Sequence, residues 1–287
     1  MHCKKLIRAA TKPLFWKIKI EKGDIMKLNV EKIIETCKDF NEIQYSYSTR
    51  VLKRKGKVRF LTIPNKTLKT QQQVINNFLQ QKFVRPEYLH TGYKKCSVKN
   101  VLNIHKKSKM CIVMDIKNYY KSIPSNRIKN FYKLSCDFDD KAAEVLYKLT
   151  TYKDQIPLGI PTSNLLSFLV CKDVFDELYN YCKDLGYNIT IYADDIVISG
   201  NILNPPEVIS NVQKTLQKAG LVLNYKKLRI YGAKKRIMNI HIDKNGKCSI
   251  DNKLRKSIVV LQNKKDLSPK EMQTLQGMLN YKKYIEE

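Results

Sequence analysis

One segment near the middle of the chain constrains the fold more than any other, Asn188-Ile-Thr-Ile-Tyr-Ala-Asp-Asp-Ile-Val-Ile-Ser-Gly200. Apolar β-branched residues lead to Tyr192, two aspartates follow, and a second apolar run begins at Ile196. This pattern predicts two short strands joined by a tight turn, with Asp194 and Asp195 at its tip. Adjacent carboxylates repel unless a cation lies beside them, and oxygen ligands suit Mg²⁺. The segment therefore indicates two-metal phosphoryl transfer, with an ordinary acidic hairpin turn as the alternative.

A third carboxylate ends another strand pattern upstream. The run Met110-Cys-Ile-Val-Met-Asp115 is typical of a strand that is covered on both faces. An aspartate at such a strand end more often starts a turn than binds a ligand. Here the paired aromatics Tyr119 and Tyr120 follow it closely.

A loop punctuated by proline and glycine opens an apolar helix at Gln155-Ile-Pro-Leu-Gly-Ile-Pro-Thr-Ser-Asn164. Thr162 or Ser163 is predicted to cap the start of this helix, which the apolar spacing extends to Cys182. Free N–H groups at a helix start favour phosphate or sugar oxygens, although an ordinary loop-to-helix junction has the same pattern.

The N-terminal part of the chain predicts a small helix and a basic hairpin. Apolar residues at helical spacing mark a packing helix over Val30–Cys37, and Lys53–Arg59 forms a basic hairpin that leads into a strand ending at Pro64. Lys57 and Arg59 are candidates for contact with a triphosphate, and a solvated charged face is the alternative.

Further elements follow from periodicity and punctuation. Apolar spacing predicts an amphipathic helix from 68 to 83, and proline at the start and glycine after the end predict a helix over Pro205–Gly220. Residues 237–243 and 248–250 are expected to pair as a hairpin about Asn245-Gly246. The chain beyond residue 251 is basic and helical.

The charge of the chain indicates a polyanionic partner. It has 287 residues with 54 Lys+Arg against 26 Asp+Glu, a formal charge of +28. Nucleic acid is the leading candidate, and the densest basic patch before the centre spans residues 94–109. A basic membrane-surface protein is the alternative, although no apolar run reaches the roughly 18 residues of a spanning helix. Biased genome composition also produces lysine-rich chains.

The cysteines favour a reducing compartment. Eight cysteines are scattered without a C-x-x-C pair, and only four histidines are present, so neither a zinc site nor a disulfide framework is expected. The N-terminus is basic but lacks a long apolar stretch, which argues against a signal peptide. We therefore expect a cytoplasmic protein.

In their order along the chain, these segments resemble bacterial retron-type reverse transcriptases, roughly from residue 30 to 287. The elements that carry the resemblance are Arg59 with Pro64, the Asp115 strand, the helix-opening glycine loop, the Tyr192-Ala-Asp-Asp195 hairpin, Gly220-Leu-Val-Leu-Asn-x-Lys-Lys227 and Leu275-Gln-Gly-Met-Leu-Asn-Tyr281.

Four departures from the family pattern leave the subgroup open. Leu158 stands where the family usually has Gln. An apolar residue at this position also occurs in the error-prone enzymes of diversity-generating retroelements and in some phage-defence reverse transcriptases. The other departures are Ser163-Asn164 for Ser-Pro, Ile237-Met-Asn239 for Val-Thr-Gly, and Asn103 with His105 for Asn-Ala-x-x-His.

The resemblance implies an α+β right-hand polymerase. It places a basic helical segment at 1–49, fingers at 50–105, a palm with a split βαβ sheet at 106–240 and a small helical thumb at 241–287. Asp115, Asp194 and Asp195 would hold two Mg²⁺ ions, with Mn²⁺ as a substitute. Lys227 would protonate the leaving pyrophosphate or contact a backbone phosphate.

The nucleotide contacts follow from the same resemblance. Lys57 and Arg59 would neutralise the triphosphate, and Tyr120 would exclude a ribose 2′-hydroxyl. Gly159 and Ser163 would line the floor beneath the nascent base pair.

The function implied is an RNA-directed DNA polymerase that copies a dedicated noncoding RNA in bacterial antiphage defence. Its expected partners are that RNA template, an RNA/DNA duplex, deoxynucleoside triphosphates and a separate effector protein, without a membrane or an RNase H domain. Two alternatives stay open: an RNA-binding scaffold on a polymerase fold within a defence complex, and the error-prone enzyme of a diversity-generating retroelement. An RNA-templated RNA polymerase is disfavoured by Tyr120.

Overall fold

The computed structural model describes residues 23–37, 46–54 and 57–287, apart from the side chains of residues 23–26, 53–54 and 57–59. Its helices are α1 Gly23–Thr36, α2 Lys66–Lys82, α3 Val98–His105, α4 Tyr119–Ser122, α5 Ser125–Asn130, α6 Asp140–Thr150, α7 Ser163–Val170, α8 Lys172–Asp184, α9 Pro205–Gln217, α10 Asn252–Gln262 and α11 Pro269–Glu286, with a π-helical turn at Phe131–Ser135. Its strands are β1 Tyr47–Arg54, β2 Lys57–Pro64, β3 Met110–Asp115, β4 Asn188–Tyr192, β5 Asp195–Gly200, β6 Arg229–Tyr231, β7 Lys235–Ile237, β8 Ile240–Ile242 and β9 Cys248–Ile250.

A four-stranded antiparallel sheet lies at the centre, in the order β4-β5-β3-β6. Strand β5 is antiparallel to both β3 and β4, so β3 and β4 run in the same direction on either side of it. Helices α4 to α8 connect β3 to β4. This is the split βαβ arrangement that the resemblance predicted for the palm.

Two cores pack on the opposite faces of this sheet. Ile112 and Met114 of β3 are fully buried in the larger core, which includes residues of α2 and α5 to α9. The alternate residue Cys111 faces a second core built by α3, the β7–β9 strands and the C-terminal helices. Because side chains alternate along a strand, Asp115 lies on the side of the second core, and its register partner Asp195 lies there too.

The β1–β2 hairpin is tied to both α2 and the glycine loop. Asn65 ends the hairpin and caps α2, since its side chain accepts a hydrogen bond from the Leu68 N–H at 2.9 Å. The Thr62 N–H of β2 donates to the Leu158 carbonyl at 3.2 Å. The hairpin therefore lies against the loop that precedes α7.

The single helix predicted up to Cys182 is wrong, because Cys171 separates α7 from α8 with φ −111° and ψ 15°. The Arg127 guanidinium accounts for the break. It donates to the Val170 carbonyl at 3.2 Å and to the Asp173 carboxylate at 2.5 Å, and so satisfies a carbonyl at the end of α7.

The capping prediction for α7 is also wrong. The helix begins after Thr162 without a side-chain cap. The Ser163 hydroxyl instead donates to the Pro157 carbonyl at 2.5 Å, so it stabilises the preceding loop.

Residues 237–243 do not form one strand. Met238 and Asn239 have φ of 49° and 66°, which makes a tight turn between β7 and β8. Together with β9 these strands form a three-stranded meander that crosses the predicted palm–thumb boundary. The division into fingers, palm and thumb stays a prediction.

The C-terminal helices are joined to the sheet by buried contacts. Ser268 and Glu271 form a capping box at the start of α11, and Ile285 near its end is buried in the second core. The buried Lys235 ammonium of β7 donates to the Ser108 carbonyl just after α3.

In the described part of the chain, no helix has the length and apolar character needed to cross a membrane.

Candidate active site

Asp115 is the buried centre of the site, 6% exposed at the end of β3. Its carbonyl accepts a hydrogen bond from the Asn224 N–H at 2.8 Å, and its Oδ1 accepts one from the Asn224 side-chain amide at 3.0 Å. Its Oδ2 forms an ion pair with the Lys227 ammonium. Both carboxylate oxygens are therefore held by the segment that connects α9 to β6.

The two other aspartates come from the β4–β5 hairpin. Ala193 has a φ of 54° in the turn, a left-handed conformation that costs a non-glycine residue about 1 kcal/mol. The Asp194 carbonyl accepts a hydrogen bond from the Ile116 N–H at 2.8 Å, which fixes the turn next to β3. Asp195 is not at the tip, because it opens β5 opposite both Asp115 and Tyr192.

The electrostatics of the site favour a bound cation. Burial first, and the negative charges of Asp194 and Asp115 after it, raise the pKa of Asp195 to about 7. The pKa of Asp194 is raised by burial first and by Asp115 second. The Lys227 ammonium opposes both shifts without cancelling them. Three ionised carboxylates are therefore unfavourable here unless positive charge joins them.

Tyr120 lies beside these carboxylates. Burial raises the pKa of its phenol, followed by the nearby charge of Asp194. The phenol donates a hydrogen bond to the Asn164 side chain on α7, and the ring packs on Tyr119 with centroids 5.3 Å apart. The ring is thus fixed at the edge of the carboxylate site, where its role as a sugar gate stays a prediction.

The loop before α7 supplies the other predicted floor residues. Gly159 has a φ of 110°, and a Cβ there would lie 3.3 Å from the Thr62 carbonyl, so the position requires glycine. Ser163 is buried with its hydroxyl directed at Pro157. Contact of either residue with a nucleotide stays a prediction.

Lys57 and Arg59 lie on β2, the strand that contacts this loop through Thr62. Their side chains fall outside the described part of the structure. The predicted triphosphate contact therefore stays a prediction.

Two asparagines of the site were not recognised as contacts from the sequence. In the sequence, Asn224 is part of the Gly220–Lys227 motif and Asn164 is a departure from the family pattern, and neither feature indicates these contacts. Asn224 lies three residues before Lys227, so one turn can present both side chains to Asp115. This spacing is a sequence signal for the contact of Asn224 with Asp115. No comparable signal in the sequence indicates the contact of Asn164 with Tyr120.

His105 supports the β4–β5 hairpin. It is fully buried at the end of α3, and its ring nitrogens lie 2.7 Å from the Ser199 hydroxyl and 2.8 Å from the Thr190 hydroxyl. Burial lowers its pKa to about 3, so the ring is neutral at physiological pH. One imidazole therefore links β4 and β5 to α3.

The carboxylates do not form a closed protein metal site. Among the described residues, no three His, Cys, Asp or Glu side chains stand close enough to enclose an ion by themselves. Mg²⁺ usually takes one or two carboxylates and completes its shell with water and substrate phosphates. The adjacent Asp115 and Asp194, with Asp195 beside them, fit that kind of open site.

Comparison with known protein families identifies the family of the chain. The family described as reverse transcriptase (RNA-dependent DNA polymerase) matches residues 51–246, more than half of the chain. The chain belongs to this family. The matched region contains the three aspartates, Tyr120, the glycine loop and Lys227.

Curated relatives within the reverse transcriptase family are of the retron type. The chain is 28% identical to the Retron Se72 reverse transcriptase of Salmonella heidelberg (strain 579083-10), over 50% of this chain and 38% of the relative. It is 24% identical to the Retron Ec73 reverse transcriptase of Escherichia coli, over 64% of this chain and 63% of the relative. The chain thus matches from 38% to 63% of the length of these relatives, and they confirm the retron-type resemblance.

A solved structure supports the fold. Apo telomerase from Candida tropicalis, truncated from its C-terminal domain, superposes with a TM-score of 0.52 at 12% identity, over 79% of this chain and 60% of that chain. The likeness concerns the fold alone, and it confirms the α+β polymerase class predicted from the sequence.

Proposed function

We propose that this reverse transcriptase family member is an active RNA-directed DNA polymerase. The observation that carries the proposal is the convergence of Asp115, Asp194 and Asp195 at one end of a split βαβ sheet. Raised pKa values at Asp194 and Asp195 add an electrostatic reason for cation binding. A scaffold without catalysis would not need three such carboxylates held together.

Asp115 and Asp194 are the residues that would hold the metal ions, with Asp195 completing or orienting the site. Two Mg²⁺ ions, or Mn²⁺ in their place, would supply the charge that activates a primer 3′-hydroxyl and steadies the leaving pyrophosphate. Asn224 would keep Asp115 oriented through its two hydrogen bonds.

Lys227 lies where its ammonium could move from Asp115 to the phosphates of a bound triphosphate. Its ammonium pairs with Asp115 in the structure, but its side chain is 53% exposed. A triphosphate in the site would offer a stronger anionic partner at the same edge. Lys227 would then turn to the phosphates and either donate a proton to pyrophosphate or neutralise its charge.

The polymer partner would contact the C-terminal helices. Gly277 lies in the interior of α11, is exposed, and a Cβ there would meet nothing within 4 Å. A glycine in a helix interior costs about 1 kcal/mol relative to alanine, and no packing in the described structure requires it. Close approach of a nucleic-acid backbone gives a physical reason for the missing side chain.

We also propose the finer role that the retron-type resemblance implies. The template would be a dedicated noncoding RNA, the product DNA, and the setting bacterial antiphage defence with a separate effector protein. The retron names of the relatives support this role. Leu158 is exposed beside Gly159, and this apolar residue favours the error-prone retroelement enzyme as the second candidate. Fidelity measurements on a defined template would distinguish the two candidates.

Asp194→Asn tests the central proposal. The substitution keeps the shape of the side chain but removes its charge, so DNA synthesis on an RNA template should fall at least 100-fold, since metal-held charge contributes several kcal/mol. RNA affinity and the unfolding midpoint should change little. Asp184→Asn, at an exposed position at the end of α8, is the matched control. Equal incorporation by parent and Asp194→Asn protein would refute the metal assignment.

A further inference from the structure

A basic pocket lies between the C-terminal half of α2 and the loop that follows it. We call it the α2 pocket; its volume is about 530 Å³, within the range of small-ligand sites. Its lining includes Asn77, Gln81, Arg85, Tyr93, Lys94 and Lys95.

The α2 pocket is separate from the carboxylate site. Strand β2 is bound to the glycine loop by the Thr62–Leu158 hydrogen bond, and it leads through the capping residue Asn65 into the start of α2. Gln81 lies 15 residues beyond Lys66, the first residue of α2, which corresponds to about 22 Å along a helix. None of the residues that line the α2 pocket belongs to the carboxylate site.

The charge of the pocket is uncompensated. Among described residues, Arg85, Lys94 and Lys95 form no ion pair, and no acidic side chain lines the pocket. Three neighbouring cations repel one another, and a bound anion would relieve that repulsion. Lys95 also has a φ of 64°, a left-handed conformation that is unfavourable for a lysine.

The walls of the pocket are held in place from within. The Tyr93 hydroxyl donates to the Phe83 carbonyl at 2.9 Å, which fixes the ring. The Gln80 amide donates to the Gly92 carbonyl at 2.9 Å, and Arg85 contacts the Cys96 sulfur at 3.2 Å. The loop is thus fastened to α2.

One lining group has no hydrogen-bond partner among the described residues. The Gln81 side-chain oxygen is buried without a donor. A buried acceptor of this kind is unfavourable until a donor reaches it. The exocyclic amine of a base or a ribose 2′-hydroxyl is a donor of the right kind.

We propose that the α2 pocket binds an unpaired nucleotide of a single-stranded RNA segment outside the catalytic centre. The proposal rests on the proposed function only in taking RNA as the partner. Arg85, Lys94 and Lys95 bind the phosphates, the Tyr93 ring stacks on the base, and Gln81 accepts a hydrogen bond from it. Cations beside a fixed aromatic ring are the usual means of binding single strands.

The experiment compares variants of the full chain with the parent protein after removal of copurified RNA. The first combines Arg85→Gln, Lys94→Gln and Lys95→Gln; the second is Tyr93→Leu. The probe is a labelled unstructured RNA of about 20 nucleotides, titrated at several salt concentrations. The triple variant should bind at least tenfold more weakly, with a log–log salt slope smaller by about 2 units. Tyr93→Leu should bind at least fivefold more weakly, while Tyr93→Phe keeps the stacking surface and most of the affinity.

The matched control replaces three exposed lysines elsewhere with glutamine, Lys141, Lys214 and Lys244, for the same change in net charge. Extension of a short blunt primer–template should be equal in parent, triple variant and control, which separates this site from polymerase activity. Single-strand affinity that falls equally in the triple variant and the control would overturn the proposal. Unchanged RNA affinity with loss of binding to an acidic protein would overturn it as well, and would assign the pocket to protein docking.

Discussion

The raised pKa of the Asp195 carboxyl makes the stability of the folded protein depend on pH. Its pKa is raised to about 7 by burial and by Asp194 and Asp115. Between the ordinary aspartate pKa and 7, the folded protein binds a proton that the unfolded chain does not bind. The free energy of unfolding of the metal-free protein therefore falls as pH rises through this window.

We predict that metal-free protein loses about 2 kcal/mol of stability between pH 5 and pH 8 from this group, after allowance for solvent screening. Added Mg²⁺ should raise the unfolding midpoint more at pH 8 than at pH 5, because the ionised carboxylates bind it. Asp195→Asn should flatten the pH dependence, whereas Asp184→Asn should not. A parent and an Asp195→Asn variant with the same pH profile would contradict the assignment.

Tyr120 permits a test of sugar selection that separates its ring from its hydroxyl. Tyr120→Ala removes the ring beside Asp194. It should raise the kcat/KM for ribonucleotides relative to that for deoxynucleotides by at least tenfold. Tyr120→Phe removes only the hydrogen bond to Asn164 and should keep most of the selection. The measurement is the ratio of kcat/KM for the two sugars. An unchanged ratio in Tyr120→Ala would show that the ring serves packing alone.

At the residue scale, the sequence indicated the carboxylates but not what holds them. Asp115 and the Asp194–Asp195 pair each adjoin an apolar strand pattern, which periodicity reveals. The contact of Asn224 with Asp115 spans 109 residues, and that of Asn164 with Tyr120 spans 44. Such contacts depend on strand register and helix placement, which local patterns do not contain.

At the element scale, proline and glycine in the sequence predict helix ends that depend on neighbouring residues alone. The helix that begins at Pro205 ends at Gln217, just before the predicted stop at Gly220, which has a φ of 72°. The break at Cys171 was missed because Arg127, which binds the Val170 carbonyl, lies 43 residues earlier. An apolar run without glycine or proline gives no sign of such a break.

Helix α11 offers a test in which stability and binding should change in opposite directions. Gly277→Gln adds a better helix former at an exposed position, so the free energy of unfolding should rise by up to about 1 kcal/mol. The added side chain should weaken binding of an RNA/DNA duplex at least fivefold by blocking close approach. The measurements are thermal unfolding and duplex titration.

Met272→Gln is the control for this test, since position 272 is exposed on a different face of the same helix. It should leave duplex affinity near the parent value. If Gly277→Gln bound the duplex as tightly as Met272→Gln, the open face of α11 would not be a contact surface for nucleic acid.

At the scale of the whole molecule, charge and shape make separable contributions to RNA binding. A formal charge of +28 attracts any polyanion, and this attraction weakens as salt rises because bound phosphates release their counterions. Stacking and single-stranded contacts are less sensitive to salt. A dedicated RNA therefore differs from an unrelated RNA mainly where screening is strong.

We predict that copurified RNA and an unrelated RNA of equal length both bind tightly at low salt and separate as salt increases. Affinity should be measured for both across the same salt series, together with the triple variant Arg85→Gln, Lys94→Gln and Lys95→Gln. In the parent protein the copurified RNA should keep at least a tenfold advantage at high salt, and the triple variant should narrow that advantage because the α2 pocket is lost. Removal of one phosphate-binding cation lowers the slope of log affinity against log salt concentration by about one unit for any RNA, so a change in slope alone reports the loss of charge. The difference in affinity between the two RNAs that persists at high salt reports specific recognition. Equal affinities for the two RNAs at every salt concentration would argue for a general polymerase without a dedicated template.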